Sequence, residues 1–500
     1  MTIQEQPRPR QYGNWRRPRT AGLLSGMGSG GTWIMIVGLI IVMASSAVSL
    51  TLAVVLALVL FVAIILIAWR DRHGMNTIEK LGERALFWNQ RSKGSNVYRS
   101  GIISKIPGGH RQLPGLLAPS SLYEFPDSFG DLFAVLHFPS TDSYAVTFVS
   151  QPEGGSTVDQ NQLDDWVASW GVWLAARGSE SGVVGVSATL ETAPDTGLRL
   201  RRQVDARMDP HASEFSRTML RQLVDDNPVA TPRITGYATV VWSGSPRPGA
   251  RKRTVDEMGT YLATRVRQLA ASLSDTGAGT ARVATKAELC ETVMTAYEPA
   301  LARLFDEARV AGRPYELSWD DAGPSGSEAG WDYYRHNGAV SRTWAMTEPP
   351  RSAVRETALR ALLSPHPAIE RKRVTLLYRP MDPASGAREV DRQTKEADAG
   401  AGILRRQNAR QTRAQAAAHR AAEEEAEGAA MVPFGMLVTA TTTSAERMSD
   451  LDFAIETISA ASRIQLRPTY GVQDSAFATA LPLGIIPSRH GKLVGTLGRL

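Results

Sequence analysis

The rhythm of apolar positions along this chain changes three times. From Trp33 to Trp69 they are almost continuous, and no charged residue occurs between positions 20 and 69. Such a run exceeds one bilayer crossing of about 20 residues and suits two short ones. The turn between them is predicted at Ala44-Ser45-Ser46 to Ser49, the cluster of small hydroxyl residues inside the run. The pattern therefore predicts membrane helices at 32–48 and 51–69. Five arginines precede them (Arg8, Arg10, Arg16, Arg17 and Arg19), and Arg70, Arg72, Lys80 and Arg84 follow. Matched basic flanks predict a two-pass cell-membrane protein with both termini and the large C-terminal region in the cytoplasm. Gly22, Gly26, Gly28, Gly30 and Gly31, before the first helix, read as a flexible hinge or a close helix contact.

The second rhythm is helical. Over 75–90, Ile78, Leu81, Ala85 and Leu86 recur at helical spacing opposite Glu79, Lys80, Glu83 and Arg84, so an amphipathic helix lies either on a membrane surface or on the folded domain. The third rhythm mixes periods of two and 3.6. Strands are predicted near 97–103, 132–137, 144–149, 183–190, 234–242, 315–319, 342–346, 373–378, 431–442 and 464–468. Helices are predicted at 160–176, 214–224, 255–273, 286–296 (running on towards Arg309), 352–363, 445–462 and 472–480. Trp166, Trp170 and Trp173 share one face of the first of these and are expected in the core. The second half repeats the style of the first. Residues 385–428 are charged and alanine-rich with only Ile403 and Leu404 as large aliphatics, a solvent-exposed helical arm.

The interleaving predicts an α+β fold: a two-helix transmembrane hairpin followed by a cytoplasmic domain of split βαβ (ferredoxin-like) units. The expected divisions are a basic flexible arm 1–31, the hairpin 32–70, a juxtamembrane helix 71–95, an α+β subdomain 96–278, a second one 279–484 carrying the excursion 385–428, and a tail 485–500.

Charge narrows the function. The chain is +6 overall, with 56 basic and 50 acidic residues, but the first 100 residues hold 12 basic and 4 acidic ones. The 44 basic and 46 acidic residues beyond position 100 give −2, so no direct nucleic-acid binding is expected. A single cysteine, Cys290, excludes an intrachain disulfide framework and reads as a small buried hydrophobe. His110, His211, His336, His366 and His419 lie far apart without metal-ligand spacing, so no metal is expected. No Gly-x4-Gly-Lys-Ser/Thr loop is present. Gly244 to Gly249 and Gly491-Lys492 come nearest, and both read as surface turns. Glu423-Glu424-Glu425 reads as a solvated helix face. Trp331-Asp332-Tyr333-Tyr334-Arg335-His336, after the loop Gly323–Gly330, is either an anchored loop or an interaction patch. No catalytic, cofactor-binding or metal-binding residue is assigned.

The C-terminal run is the most specific. The strand 431–442, the helix beginning Ser444-Ala-Glu-Arg-Met-Ser-Asp-Leu-Asp452, Gln473-Asp-Ser-Ala-Phe477 and Leu481-Pro-Leu-Gly484 resemble the end of the N-terminal, non-ATPase region of conjugation and type IV secretion ATPases of the TraC/TrbE/CagE kind, over about 370–484. The basic arm, Gly22-Leu23-Leu24 and the apolar hairpin resemble the small PrgI-type subunit of conjugation channels. A fusion of the two resembles actinobacterial integral-membrane conjugation proteins. In such ATPases the phosphate-binding domain follows the Leu-Pro-Leu-Gly-like element, whereas this sequence stops at Leu500, so the motor domain is expected to be absent. The resemblance implies a non-catalytic, membrane-anchored scaffold of a conjugative, type IV-like apparatus. Its partners would be the lipid bilayer, a separately encoded motor ATPase and other channel subunits, with a homo-oligomer possible in the channel. A component of a type VII secretion machine is the alternative, and an enzyme of unrecognised type the third reading.

Overall fold

The computed structural model describes residues 28–68, 71, 73–101, 110–152, 154, 158–195, 197–226, 232–247, 249–350, 354–402 and 409–490. Most of the basic arm, Gly22, Gly26, Arg70, Arg72, Ile403, Leu404, Gly491 and Lys492 lie outside them. The arrangement is α+β, built on one antiparallel sheet of 13 strands in the order β1-β8-β9-β10-β12-β11-β5-β6-β4-β3-β2, with β13 on β10 and β7 on β4. The strands are β1 Val97–Arg99, β2 Ser121–Pro126, β3 Leu132–Phe138, β4 Ser143–Ser150, β5 Val183–Ala193, β6 Arg233–Ser243 and β7 Ala281–Val283 in the first half. Those of the second are β8 Gly326–Ala329, β9 Tyr334–His336, β10 Ala339–Glu348, β11 Arg371–Tyr378, β12 Phe434–Thr442 and β13 Gln465–Pro468.

Two helices precede the sheet, α1 (Gly28–Ser46) and α2 (Leu50–Ala68), joined by a turn at Ala47–Ser49. Gly38 lets them approach, since a Cβ there would lie 2.4 Å from Leu60 Cδ1. Among the described residues no helix is long and apolar enough to cross a membrane. This corrects the transmembrane hairpin 32–70 and, with it, the two-pass membrane location with cytoplasmic termini. The turn divides the uncharged run into two helices of 19 residues each. Each is about 28 Å long at 1.5 Å per residue, against a hydrocarbon layer of about 30 Å. The first also begins with Gly28, Ser29, Gly30, Gly31 and Thr32, which are not apolar. The basic flanks remain a feature of the sequence, but they orient nothing without a span.

The sheet contains two copies of one unit. In the first, β4 is followed by α4 (Gln160–Ser179), β5, the pair α5 (Leu198–Arg207) and α6 (Glu214–Asp226), β6, the pair α7 (Val255–Ala263) and α8 (Val266–Leu273), and β7. The pairing order is β7-β4-β6-β5, so β6 separates the parallel strands β4 and β5 as in a split βαβ unit. In the second copy β10, α11 (Arg360–Leu363), β11, α12 (Pro383–Gly402), α13 (Ala409–Ala426), β12, α14 (Met448–Ala461) and β13 pair in the equivalent order β13-β10-β12-β11. Helices α9 (Lys286–Tyr297) and α15 (Gln473–Ala480) follow β7 and β13 in equivalent places. The copies join where β5 and β11 pair antiparallel, with Thr189 opposite Thr375 at the pseudo-two-fold axis and their hydroxyls 3.0 Å apart.

Threonine hydroxyls meet at corresponding places in both copies, Thr147 with Thr239 at 3.0 Å and Thr343 with Thr439 at 2.9 Å. One face of the sheet thus carries a buried polar row. Thr147 donates to Pro482 O and Thr375 to Ala480 O, both at 2.8 Å, which fastens α15 and the Leu481–Gly484 segment across it. The other face is apolar. Tyr144, Val146, Phe148, Val240 and Trp242 pack there against α4, α7 and α8 with Trp173, and Val374, Met436 and Val438 pack against α14. Of the three tryptophans on α4, Trp173 is buried and Trp170 stacks on it at 5.2 Å, while Trp166 lies against Gly277 at the turn after α8.

Several expected elements differ for local reasons. The helix expected over 255–273 is two, broken where the Arg265 guanidinium folds back over the Tyr261 ring. Helix α9 stops at Glu298 because Pro299 disfavours helical backbone in the residue before it, and α10 (Leu301–Val310) starts anew. Residues 315–318 are not a strand, and Trp319 enters the core as a 3-10 turn. The helix expected over 352–363 is reduced to a 3-10 turn at Glu356–Leu359 and one turn of α11. The arm 385–428 is two helices packed side by side, α12 and α13.

Cys290 on α9 is fully buried and its thiol is pushed up to about 12 by burial. A thiolate-selective reagent at pH 8 is expected to leave the native chain unlabelled and to label it once, with unfolding. Labelling at native rates above those of global unfolding would show that α9 opens locally.

Candidate functional site

The residues that the sequence singles out do not converge. Among the described residues no group of three or more metal-ligating side chains comes together. His110 lies near Asp321, His419 near Asp398, and His366 accepts from its own loop at Ala368 N. His336 alone is buried. Its Nδ1–H donates to Tyr297 O, so Nε2 accepts from the Ser341 hydroxyl, which stands 2.7 Å from that of Thr441. Burial, helped by the charge of Arg373 and opposed by the Tyr297 carbonyl, lowers its pKa to about 4.

The sign of the resulting pH dependence follows from that depression. Between about pH 4 and 6.5 the unfolded chain binds a proton that the folded chain refuses, so stability rises with pH across this window and is lost on acidification. The expected contribution is at most about 3 kcal/mol. Urea unfolding at pH 4.5 and 7 checks it, and His336→Gln should flatten this part of the slope.

The aromatic cluster after the Gly323–Gly330 segment is an anchor. Trp331 stacks on Tyr470 at 5.4 Å and meets Phe87 edge-on at 5.4 Å, and Arg467 lies over Tyr470. Helix α3 (Thr77–Ser92), the amphipathic helix of the sequence, is held on the domain by Phe87 and by the buried Glu83, which pairs with Arg467 at 2.7 Å. Tyr334 is a core residue beside Tyr297 and Phe477. Tyr333 stands partly exposed, with Arg335 over its ring. These rings are thus largely spent inside the chain, and α3 turns Leu81 and Trp88 outward.

Two features lie outside those residues. The first is a buried charge centre on the polar face of the sheet, where Glu191 of β5 receives Arg371 at 2.5 Å and Arg373 at 3.1 Å from β11. Burial pushes the Glu191 carboxyl up, but the charges of Arg373 and Arg371 outweigh it and hold the pKa below its usual value. The second is the outward face of α6. Phe215, Met219, Leu220 and Leu223 are all exposed there, Phe215 at 76 %. Spacings of four place Phe215, Met219 and Leu223 in one stripe, while Val224 turns inward and is buried. Four large apolar side chains on one exposed helical excursion are more than the scatter normal for a surface. The signal was present as the period of 214–224, but periodicity alone does not say that a stripe faces away from the core.

Residues 19–79 are similar to a family described as a domain of unknown function (DUF8461). This stretch contains the α1–α2 hairpin and the first residues of α3. No curated protein sequence matches the chain.

Proposed function

We propose that the chain is a non-catalytic scaffold of a conjugative, type IV-like apparatus, and that its sheet domain docks a separately encoded motor ATPase. The observation that carries the docking is the exposed stripe of α6. An apolar helix face of this kind suits burial in a partner's groove, with anchors spaced at i, i+4 and i+8. The choice of partner rests on the resemblance of 370–484 to the non-ATPase region of such motors. The polar interior of the sheet supports a structural reading of its charged and hydroxyl residues, since Thr147, Thr375, His336 and Glu191 are each engaged within the chain. The charged pair α12–α13, equivalent by topology to α5–α6, adds surface for steering.

Co-purification of the full chain from its native host, followed by measurement of affinity for the recovered ATPase, tests the reading. Phe215→Ser is expected to weaken the complex about 30-fold, the loss of one buried aromatic anchor of about 2 kcal/mol. Recovery of no conjugation-type ATPase, or equal affinity for the variant, would overturn it.

A further inference from the structure

A cavity of about 600 Å³ opens beside the charge centre, on the polar side of the sheet, between α5, α10 and the start of β11. Its apolar wall includes Leu198, Val224 and Pro299, and its cationic side is formed by Arg201, Arg303 and Arg371. Three features of this cavity point to an anion.

Two helices begin at it. Gly197 and Leu198 open α5, and Ala300, Ala302 and Arg303 open α10. Neither N-terminus has a side-chain cap, and neither has an acidic residue in its first turn. Each helix has 10 residues, so the positive ends of two dipoles face the cavity, with the first N–H groups of α10, those of Leu301 and Ala302, already given to Glu298 O and Pro299 O. Gly197 starts α5 with a φ of 73°, a backbone conformation open to glycine.

The second feature is Arg371. It is 8 % exposed and lines the cavity, yet Glu191 satisfies only one of its terminal nitrogens. A buried guanidinium with an idle N–H is costly unless something else completes it. The third is the charge of the wall, where three arginines face two carboxylates, Asp195 and Glu370. Glu370 is already engaged by Arg447 at 2.7 Å and by Thr443 N at 2.9 Å. Arg303 also bridges to Glu307 along its own helix at 2.8 Å, an exposed pair that an anion can outcompete.

We infer that this cavity binds a small organic oxyanion, a phosphate or carboxylate head carried on an apolar body. The head would lie where the two helix N-termini, Arg201, Arg303 and Arg371 converge, and the body against Leu198, Val224 and Pro299. The site is distinct from the outward stripe of α6, but Val224 belongs to the same helix, so an occupied cavity would brace the docking helix from behind.

Titration of the full chain with phenyl phosphate, benzoate, inorganic phosphate and phenol tests the inference by direct binding. The two aryl anions are expected to bind, inorganic phosphate at least tenfold more weakly than phenyl phosphate, and phenol not at all. Arg303→Ala, on an exposed helix turn away from the Glu191 pair, should weaken phenyl phosphate about tenfold without moving the unfolding midpoint, and Arg201→Ala should weaken it by as much. Ala302→Asp, which sets a negative charge at the start of α10, should abolish binding. Binding of phenol as tight as that of phenyl phosphate, aryl-anion affinity unchanged in Arg303→Ala and Ala302→Asp, or no binding of either aryl anion at 10 mM would overturn it.

Discussion

Glu191→Ala is expected to lower the free energy of unfolding by about 3–5 kcal/mol, because it strands two guanidinium groups in the middle of the sheet. Arg373 is 2 % and Arg371 8 % exposed, and Glu191 is the carboxylate that both reach. The pair sits within the β5–β11 junction of the two copies, two residues along each strand from the Thr189–Thr375 pair, with Glu191 opposite Arg373 in register. The damage should therefore reach both copies at once. Chemical denaturation of the full chain at pH 7 measures the loss, and a change below 1 kcal/mol would show that water reaches the arginines. Glu191→Gln keeps the shape and an acceptor but not the charge, and should fall between the two. The pH dependence has a definite sign. Because the folded carboxyl is held below its usual value, its stabilising contribution is complete above the carboxylate pKa of the unfolded chain, about 4.3, and is lost as pH falls through the folded value. The alanine variant should lack that acid-sensitive part. His336 acts at higher pH, so the two windows are separable.

This charge centre shows where sequence reasoning stops. The strand Arg371-Lys-Arg-Val-Thr-Leu-Leu-Tyr378 was legible from Arg373 onward by its β-branched and apolar residues, but its first three residues are charged and all buried. Positions 371 and 373 point to one face by the period of two, and that spacing was the available signal. Their counter-ion lies 180 residues earlier, and pairing between distant strands follows from register, which a linear pattern does not encode. Long strands such as β5, β6 and β10 were readable for the same reason that β11 was, whereas β7 and β9 have three residues each and no period to detect. The cavity escaped for a different reason. Its signals are the absences of caps before α5 and α10, and only the fold brings those two ends together. The uncharged run showed its two helices and the turn between them, and what it did not show is that each helix stops at 19 residues.

Gly484→Ala is expected to cost about 2–5 kcal/mol, and its mechanism separates conformational strain from overpacking. Gly484 closes the Leu481-Pro-Leu-Gly element, which lies on the polar face of the sheet with Leu481 and Leu483 fully buried. Its φ is 76°, in the region where an L side chain costs about 1–2 kcal/mol. A Cβ there would also stand 2.7 Å from Val241 Cγ2, 2.8 Å from Ala145 Cβ and 3.1 Å from Thr239 Cγ2. Those contacts belong to the centres of β4 and β6 and cannot yield without moving the sheet, which adds about 1–3 kcal/mol. Gly338 is the matched control. It turns the β9–β10 hairpin with a φ of 71°, and a Cβ added there meets nothing within 4 Å. Gly338→Ala should therefore show the conformational cost alone, and the difference between the two variants in denaturant midpoint reads the packing against Val241 and Ala145. If the two alanines cost the same, the Leu481–Gly484 segment lifts from the sheet with little penalty. The hydroxyl bonds of Thr147 and Thr239 to Pro482 O, at 2.8 and 3.2 Å, argue that it does not. Lifting it would leave the Pro482 carbonyl and one hydroxyl donor unpaired in the core of the first copy, since Thr147 and Thr239 could then bond only to each other, at roughly 1–3 kcal/mol each.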